Sequence, residues 1–437
     1  MNAKLTSEFF AGRREKAFDA MGENAALIVS AGSTTPNHVK FRQESGFFYL
    51  TGFPEPNAAA VLLSNNGERS YTLFVPPKDP VSERWDGKRA GVEGALNEYN
   101  ADNAHPIDEL EEKLKPLVDA AWRIYLRADM SSRRGQTLHR LCRASATSSG
   151  RSGRGALEFC DLDWFLANLR VHKTPEEIDM IRSAAEITRE AYAETVPQIR
   201  PGGWEYEIEA ALNGAFRKKG GDGPAYKSIV GGGNNSTCLH YVSNNDPLRS
   251  GDVLLIDAGA MRGHYASDVT RTYPINGRFS SAQREMYEAV LRAQKAMIEA
   301  ARPGIPLKQL HELSVRLLTE SMVELGWLDG RGVDAHIEEK TYRQYYMHGS
   351  GHHLGLDVHD PGPAEIDGEP FLLSEGAVFT VEPGLYVSED DESVPEAYRG
   401  VGVRIEDDAL ITADGHENLT AGIPKEADEV EAQVQSG

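Results

Sequence analysis

The sequence predicts two domains of different class: an α/β domain over residues 1–172, then an α+β domain over residues 173–437. The first observation is length, because 437 residues exceed what one hydrophobic core usually supports. The second is an alternation of apolar strands and helical patterns up to about residue 170, which is typical of α/β domains. The third is a strong helix start at Thr174, beyond which the predicted strands carry acidic residues and favour antiparallel pairing.

In the first domain, apolar runs predict strands and one amphipathic run predicts a helix. The strands are Ala25–Ser30, Ala58–Leu63 and Ser70–Pro76, and the helix is Glu109–Ala120. Residues 144–155, ASATSSGRSGRG, are polar and rich in Gly and Ser. We therefore expect an exposed loop there rather than a functional element.

The second domain begins with Thr174-Pro175-Glu176-Glu177, a motif that can form a capping box with proline at the first helical position. This motif places the domain boundary at about residue 172. Apolar residues at helical spacing predict further helices over Ser281–Ala301 and Pro306–Leu325. The acidic tail from Pro424 onward is expected to fray. Strands are predicted at Val253–Ala258, Tyr265–Tyr273, Val378–Glu382 and Val401–Glu406.

Composition restricts the class of partner and the compartment. The net charge of −21 disfavours nucleic acid and anionic membranes as partners, since both attract cationic surfaces. Cys142, Cys160 and Cys238 are widely spaced and form neither a disulfide framework nor a paired zinc-binding motif. The sequence shows no signal-peptide core and no run of the about 18 apolar residues that a membrane span needs. We expect a cytoplasmic protein that binds neither nucleic acid nor membrane.

Two aspartates in consecutive apolar strands are the most informative feature. Asp257 follows Leu-Leu-Ile, and Asp268 lies in the next predicted strand. If Arg262 and Gly263 form a two-residue turn, the two aspartates face each other with Cβ atoms about 5 Å apart. Two ionised carboxylates at that distance repel each other, whereas a divalent cation between them makes the arrangement favourable.

The same feature recurs at Glu382 and Glu406, each of which closes an apolar strand. A buried glutamate is unfavourable unless it is paired or bound to metal. Salt bridges with Arg404 and Arg271 are the structural alternative. Four histidines lie between Asp268 and Glu382, in a Gly-rich stretch that predicts a loop rather than a helix: His348, His352, His353 and His359.

Several segments together resemble a known family. They are Ile256–Ser280, His348–Gly362, Val378–Val387 and Tyr398–Asp408, with FRQESGFFYLTGFPEP (Phe41–Pro56) in the first domain. These segments are similar to the pita-bread metallopeptidases, specifically the aminopeptidase P family, and the likeness runs from about residue 5 to about residue 420. The resemblance implies a creatinase-like N-terminal α/β domain and a C-terminal pita-bread domain with a curved antiparallel sheet.

The resemblance also implies a two-metal site. Asp268 and Glu406 would bridge two divalent ions, Asp257 would bind one of them, and His352 with Glu382 would bind the other. The resemblance favours Mn²⁺, although an oxygen-rich set with one imidazole also suits Co²⁺ or Zn²⁺. Four carboxylates balance the charge of two divalent ions. The residues matching substrate-handling positions are His240, His348, His359, Tyr386 and Arg404.

The implied reaction is hydrolysis of the N-terminal Xaa-Pro bond of peptides that have proline at the second position. A metal-bridging hydroxide would attack the scissile carbonyl while Glu382 accepts its proton. His240 and His359 would stabilise the oxyanion, and His348 would help to form the proline pocket. Members of the family are commonly dimers or tetramers, so we expect a homo-oligomer.

Three alternatives remain open at this stage. A prolidase, which cleaves only Xaa-Pro dipeptides, shares the fold and the ligands. A non-catalytic pita-bread protein would bind peptides or proteins, but such proteins are expected to lack some ligands. A third possibility is that the amphipathic helices mediate only interaction, although their apolar stripes are explained more simply as the cover of a sheet.

Overall fold

A computed structural model of the chain describes residues 5–35, 40–127, 133–151, 158–366 and 368–437. The chain divides into two compact units between Leu169 and Arg170. In the described ranges, no helix combines the length and the apolar character needed to cross a membrane. Each unit is described by itself below.

The N-terminal unit is built on one six-stranded sheet with the order β4-β3-β2-β1-β5-β6. The β1–β2 and β2–β3 pairs are antiparallel, whereas β3–β4, β1–β5 and β5–β6 are parallel. The strands are β1 (Ala25–Ser30), β2 (Ala59–Asn65), β3 (Glu68–Val75), β4 (Asn103–Pro106), β5 (Arg123–Leu126) and β6 (Glu158–Asp161). The helices are α1 (Ser7–Met21), α2 (Ser45–Thr51), α3 (Pro80–Asp86), α4 (Gly91–Asn97), α5 (Leu110–Asp119), α6 (Arg133–Arg151) and α7 (Leu162–Arg170).

The loop expected at residues 144–155 is wrong as far as Arg151, because α6 continues to that residue. Leu138, Cys142 and Ser145 are buried and recur at helical spacing, so one face of α6 packs onto the core. The Ser- and Gly-rich composition concealed this stripe. The rest of the expected loop, residues 152–157, lies outside the described residues.

In the part of the chain that the structure describes, the C-terminal unit contains six α-helices and several small antiparallel sheets. Its helices are α8 (Pro175–Thr195), α9 (Glu205–Lys218), α10 (Ser281–Ala300), α11 (Leu307–Glu324), α12 (Val333–Glu338) and α13 (Ala427–Gln435). The strands of its first half are β7 (Gly223–Pro224), β8 (Ile229–Gly232), β9 (Val253–Asp257), β10 (Ala260–Arg262), β11 (Tyr265–Ala266) and β12 (Thr270–Pro274). Those of its second half are β13 (Glu365–Ile366), β14 (Glu369–Pro370), β15 (Val378–Val381), β16 (Gly384–Val387), β17 (Val401–Arg404), β18 (Asp407–Ile411) and β19 (His416–Asn418).

One helix start in this unit follows its predicted signal, and one helix forms where none was predicted. Thr174 and Glu177 form the expected capping box at the start of α8. The tail beyond Pro424 was expected to fray, but α13 forms there and buries Ala427 and Val430. Because these two residues are three positions apart, they lie on the same face of the helix and form an apolar contact. The acidic charge of the tail gives no sign of this face.

The expected register of the aspartate hairpin is also wrong, by two residues. The turn residues are Gly263 and His264, both with positive φ, so Asp257 pairs with Thr270 instead of Asp268. A shift of two residues keeps a side chain on the same face of a strand. The strands are close here, since a Cβ on Gly259 would lie 1.7 Å from the carbonyl oxygen of Ser267.

Candidate metal centre

The four acidic side chains come from the ends of different strands. Asp257 is the last residue of β9, and Asp268 lies just before β12. Glu382 directly follows β15, and Glu406 separates β17 from β18. Backbone pairing stops at the end of a strand. A carboxylate at that position can therefore point into a shared cleft while the rest of its strand stays paired.

The carboxylates converge although they are not in direct register. The phenolic oxygen of Tyr226 lies 2.6 Å from Oδ1 of Asp257 and 2.5 Å from Oδ1 of Asp268. Ligand atoms of Asp268, His352 and Glu406 all lie within 4.8 Å of one another. The structure thus brings together carboxylates from separate strands around one point.

His352 faces this point through a defined nitrogen. Its Nδ1 lies 3.0 Å from the carbonyl oxygen of His353, and a carbonyl can only accept, so Nδ1 donates to this oxygen. Nε2 lies 3.5 Å from both Asp268 Oδ2 and Glu382 Oε1. A metal-binding imidazole shows this arrangement, because the outer hydrogen bond fixes the tautomer and leaves the other nitrogen free to coordinate.

The backbone around His352 is tied to β15. The hydroxyl of Thr380 accepts from the His352 N–H at 3.1 Å and lies 3.4 Å from Glu382 Oε1. The N–H of Thr380 donates to the His352 carbonyl oxygen at 2.9 Å. A Cβ on Gly351 would lie 2.2 Å from the Thr380 carbonyl oxygen, so glycine permits this approach.

The salt-bridge alternative requires a positive side chain beside each acid, and Arg404 provides one for Asp257. Its Nη2 donates to Asp257 Oδ2 at 2.7 Å. Arg271, the other cation of that alternative, pairs with Asp407 at 2.6 Å rather than with Glu406. Within the described ranges, no lysine or arginine forms an ion pair with the other three acids, which are Asp268, Glu382 and Glu406.

Burial is the main cause that raises the affinity of these acids for protons. Burial raises the pKa of Glu406 well above its usual value, and the neighbouring Asp268 and Glu382 act in the same direction. Burial likewise raises the pKa of Glu382 to about 7, against the opposing charges of His352 and Arg404. Burial raises the pKa of Asp257 as well, although Arg404 opposes it. Groups that hold protons for this reason would exchange them for a cation.

The histidines respond in opposite directions. Burial alone would lower the pKa of His352, but Asp268 and Glu382 outweigh it and raise that pKa to about 9. Burial and the charge of Arg404 lower the pKa of His348 to about 4. Burial also lowers the pKa of His359. His348 and His359 are therefore neutral near pH 7 and able both to donate and to accept hydrogen bonds.

The site lies in a cleft of about 640 Å³. His240, His348 and His359 line this cleft, and His240 is solvent-exposed. The His359 ring lies 4.3 Å from the His352 ring, measured between centroids. The hydroxyl of Tyr386 lies 2.9 Å from His348 Nε2 and accepts from Arg404 Nη1 at 3.0 Å. All ten residues that the resemblance matched to metal-binding or substrate-handling positions thus lie in the cleft or bond to a residue that lines it.

Sequence reasoning did not identify three residues that contact the acids. Tyr226 gave no signal, because a tyrosine next to a strand is indistinguishable from a core residue. The hydroxyl of Thr270 donates to Glu406 Oε2 at 2.6 Å, and threonine in a strand is equally unremarkable. Asp408 did have a signal, namely a second acidic residue inside the buried strand β18.

The donor set fits a divalent metal. The candidate ligands Asp257, Asp268, Glu382, Glu406 and His352 offer four carboxylates and one imidazole nitrogen, a combination that hard or borderline divalent cations prefer. The cations would favour the charged carboxylates, which burial disfavours in their absence.

Comparison with known proteins identifies the family. Residues 179–413 match metallopeptidase family M24, and residues 10–125 match the aminopeptidase P N-terminal domain. The chain belongs to metallopeptidase family M24. The predicted two-part architecture, a creatinase-like α/β domain followed by a pita-bread domain, is thereby confirmed.

Relatives and solved structures cover nearly the whole M24 chain. It is 42% identical over 436 residues to the Xaa-Pro aminopeptidase of Haemophilus influenzae, covering 98% of this chain and 97% of the relative. It is 37% identical over 444 residues to the Escherichia coli Xaa-Pro aminopeptidase, with 98% of both chains covered. The structure of Pseudomonas aeruginosa aminopeptidase PepP is similar with a TM-score of 0.93, at 39% identity and 99% coverage of both chains. A substrate complex of an Escherichia coli aminopeptidase P variant gives 0.92 at 36% identity, again with 99% of both covered.

Proposed function

We propose that this M24 peptidase is an Xaa-Pro aminopeptidase, which removes the residue preceding an N-terminal Xaa-Pro bond. The observation that carries the proposal is the convergence of four carboxylates and His352 Nε2 in one cleft. Near-complete alignment with proteins named Xaa-Pro aminopeptidase supports the substrate class.

The proposal assigns five metal ligands to two divalent cations. Asp257, Asp268, His352, Glu382 and Glu406 would hold the ions. Mn²⁺ is proposed as the native metal, with Co²⁺ and Zn²⁺ as the alternatives that the donor set permits. When bound, the ions supply Lewis-acid activation of water and of the scissile carbonyl.

The chain's own groups then hold and move protons. Glu382 would accept the proton of the attacking water, because its carboxylate lines the same cleft as the other proposed ligands. His240 and His359 would donate hydrogen bonds to the developing oxyanion. Neutral His359 can donate while leaving the charge balance unchanged.

Specificity for proline is proposed to come from the wall formed by His348, Tyr386 and Arg404. An Xaa-Pro bond lacks an N–H, so recognition through an extended backbone loses its donor. A wall fixed by internal hydrogen bonds needs no such donor, and the His348–Tyr386–Arg404 chain of contacts holds these side chains in place. We expect cleavage of the trans isomer only, since a rigid wall admits one ring orientation.

Hydrolysis of matched peptides by the purified protein tests this function. Xaa-Pro-Xaa tripeptides should be cleaved after the first residue in the presence of Mn²⁺, and Xaa-Ala-Xaa controls should be poor substrates. Failure to cleave any Xaa-Pro tripeptide in the metal-loaded state would overturn the proposal. Activity confined to Xaa-Pro dipeptides would instead identify a prolidase, a reading that the named relatives do not favour.

Three further expectations belong to the proposal. The domains are taken as residues 1–172 and 173–437. The protein is expected to act in the cytoplasm and to form a dimer or tetramer. Size-exclusion chromatography with light scattering would measure the assembly.

A further inference from the structure

Asp408 is a buried acidic residue that is not among the proposed metal ligands. Its side chain is fully buried on β18, two residues beyond Glu406. Both of its oxygens lie 3.2 Å from the backbone nitrogen of Asp268 and accept from that N–H. The side chain therefore joins β18 to the backbone of a proposed metal ligand.

The N–H of Asp268 is free to take this partner because it points away from the hairpin ladder. On the side facing β9 and β10, Ser267 donates to the Ala260 carbonyl and Ala258 donates to the Val269 carbonyl, each at 3.0 Å. The N–H of Asp268 points to the opposite edge of the chain. A buried N–H without an acceptor is unfavourable by about 1–3 kcal/mol, and the Asp408 carboxylate supplies the acceptor.

The position of Asp408 links three ligand-bearing segments. Its backbone pairs with Thr380 on β15, the strand that leads into Glu382. Its own strand follows Glu406 directly, and its side chain holds Asp268. One residue thus connects the backbones that carry three of the four acids.

We propose that Asp408 is a positioning residue of the metal centre, which fixes Asp268 relative to Glu406 so that both can hold the same cations. The inference rests on the proposed function, since it presupposes that these acids bind metal. Residues behind the ligands commonly set metal affinity in this way, and their loss typically weakens binding by about 10–100-fold.

The test compares variants that differ in their ability to accept from the Asp268 N–H. Asp408→Ala removes the acceptor, whereas Asp408→Asn retains one oxygen at the same distance. Mn²⁺ affinity of each metal-free protein would be measured by titration calorimetry, with kcat and KM for an Xaa-Pro tripeptide measured separately. We expect Asp408→Ala to raise the Kd for Mn²⁺ about 10–100-fold, and Asp408→Asn to stay within a few-fold of wild type.

A matched control separates positioning from general stability. Glu177 is 2% exposed in the same unit and accepts from the Thr174 N–H and the Tyr265 hydroxyl. Glu177→Gln should lower the melting temperature while leaving the Kd for Mn²⁺ unchanged. If Asp408→Ala does not fold, Asp408→Ser replaces it, because a serine hydroxyl is too short to reach the Asp268 nitrogen.

The outcomes discriminate clearly. Wild-type affinity in the Ala or Ser variant overturns the inference, and so does an equal loss in Ala and Asn, because the retained acceptor would then be irrelevant. A tenfold loss in Glu177→Gln would also overturn it, since affinity would then follow overall stability. Failure of the wild-type protein itself to bind Mn²⁺ would instead overturn the proposed function.

Discussion

Glu406 and Asp407 are adjacent, almost fully buried acids whose environments have opposite effects. Burial raises the pKa of Glu406, and the neighbouring acids reinforce this increase. Burial acts on Asp407 in the same direction, but Arg271 and Lys425 outweigh it and hold the pKa of Asp407 below its usual range. Their nitrogens lie 2.6 and 2.5 Å from its oxygens.

The difference shows two ways in which a fold can tolerate a buried acid. Around Asp407, fixed side chains supply the positive charge, and Gln294 and Asn418 complete the hydrogen bonds. Asp360 is similar, with Arg170 and Lys173 beside it. Around Glu406 the chain supplies too little positive charge, so the acids can exchange protons for added cations. The first arrangement stabilises the fold, and the second provides a binding site.

Removal of metal should have the largest effect. It should act through the acids around Glu406, which lack fixed cation partners, and not through Asp407 or Asp360. A chelator is expected to abolish hydrolysis of Xaa-Pro peptides and to lower the melting temperature. At a metal concentration of 100 times Kd, binding stabilises the native state by about 2.7 kcal/mol. Calorimetric scans with and without Mn²⁺ would measure the change. A melting temperature insensitive to Mn²⁺ would contradict the distinction.

Loss of the proposed proton acceptor should have the second-largest effect. Glu382→Ala is expected to lower kcat by about 10²–10⁴-fold, because positioned acid–base groups contribute about that much. Metal content and steady-state kinetics on the same preparation would separate lost chemistry from lost metal. Near-normal kcat with both metals bound would remove Glu382 from this role.

Breaking the Asp407 cluster should have its effect on the stability of the metal-free protein. Arg271→Met leaves Asp407 buried without its closest guanidinium and is expected to destabilise the protein by about 3–5 kcal/mol. Urea unfolding of the metal-free protein would measure the loss. The control is Arg182→Met, whose exposed ion pair with Glu417 should contribute less than about 1 kcal/mol. Equal losses in the two variants would show that the buried pair has no special weight.

These two kinds of acid differ in how far the sequence can predict them. Asp257, Asp268, Glu382 and Glu406 stood out because each interrupts or closes an apolar run. Their convergence could not be derived from the pattern alone, since the expected hairpin register was two residues wrong. The predicted face of the strand was still correct, because side chains on a strand return to the same face every two residues.

The cation partners of the structural acids were not predictable in the same way. Arg271 was considered as a partner for the glutamates, but it pairs with Asp407, more than a hundred positions away along the chain. Such contacts depend on tertiary packing, which local spacing does not encode. The same limit applies to α6 and α13, where polar composition hid a narrow buried stripe. The capping box at Thr174 was predictable because all of its hydrogen bonds are local.

The smallest expected effect is on the pH dependence of stability, and it concerns Asp360. Burial would raise the pKa of Asp360, but Lys173 and Arg170 outweigh it and hold that pKa below its usual value. The unfolded chain, with an aspartate pKa of about 3.9, therefore binds its proton at a higher pH than the native state does. The stabilisation is present above that pH and is lost as the pH falls through the lower native pKa.

Asp360→Asn should remove this part of the slope. One proton contributes at most about 1.4 kcal/mol per pH unit, so the wild type should lose more stability than the variant between about pH 5 and pH 3. Urea unfolding at several pH values would give the two slopes, independently of the offset caused by the substitution itself. Parallel slopes would mean that Asp360 titrates alike in both states, and that its flanking cations do not compensate it as those around Asp407 do.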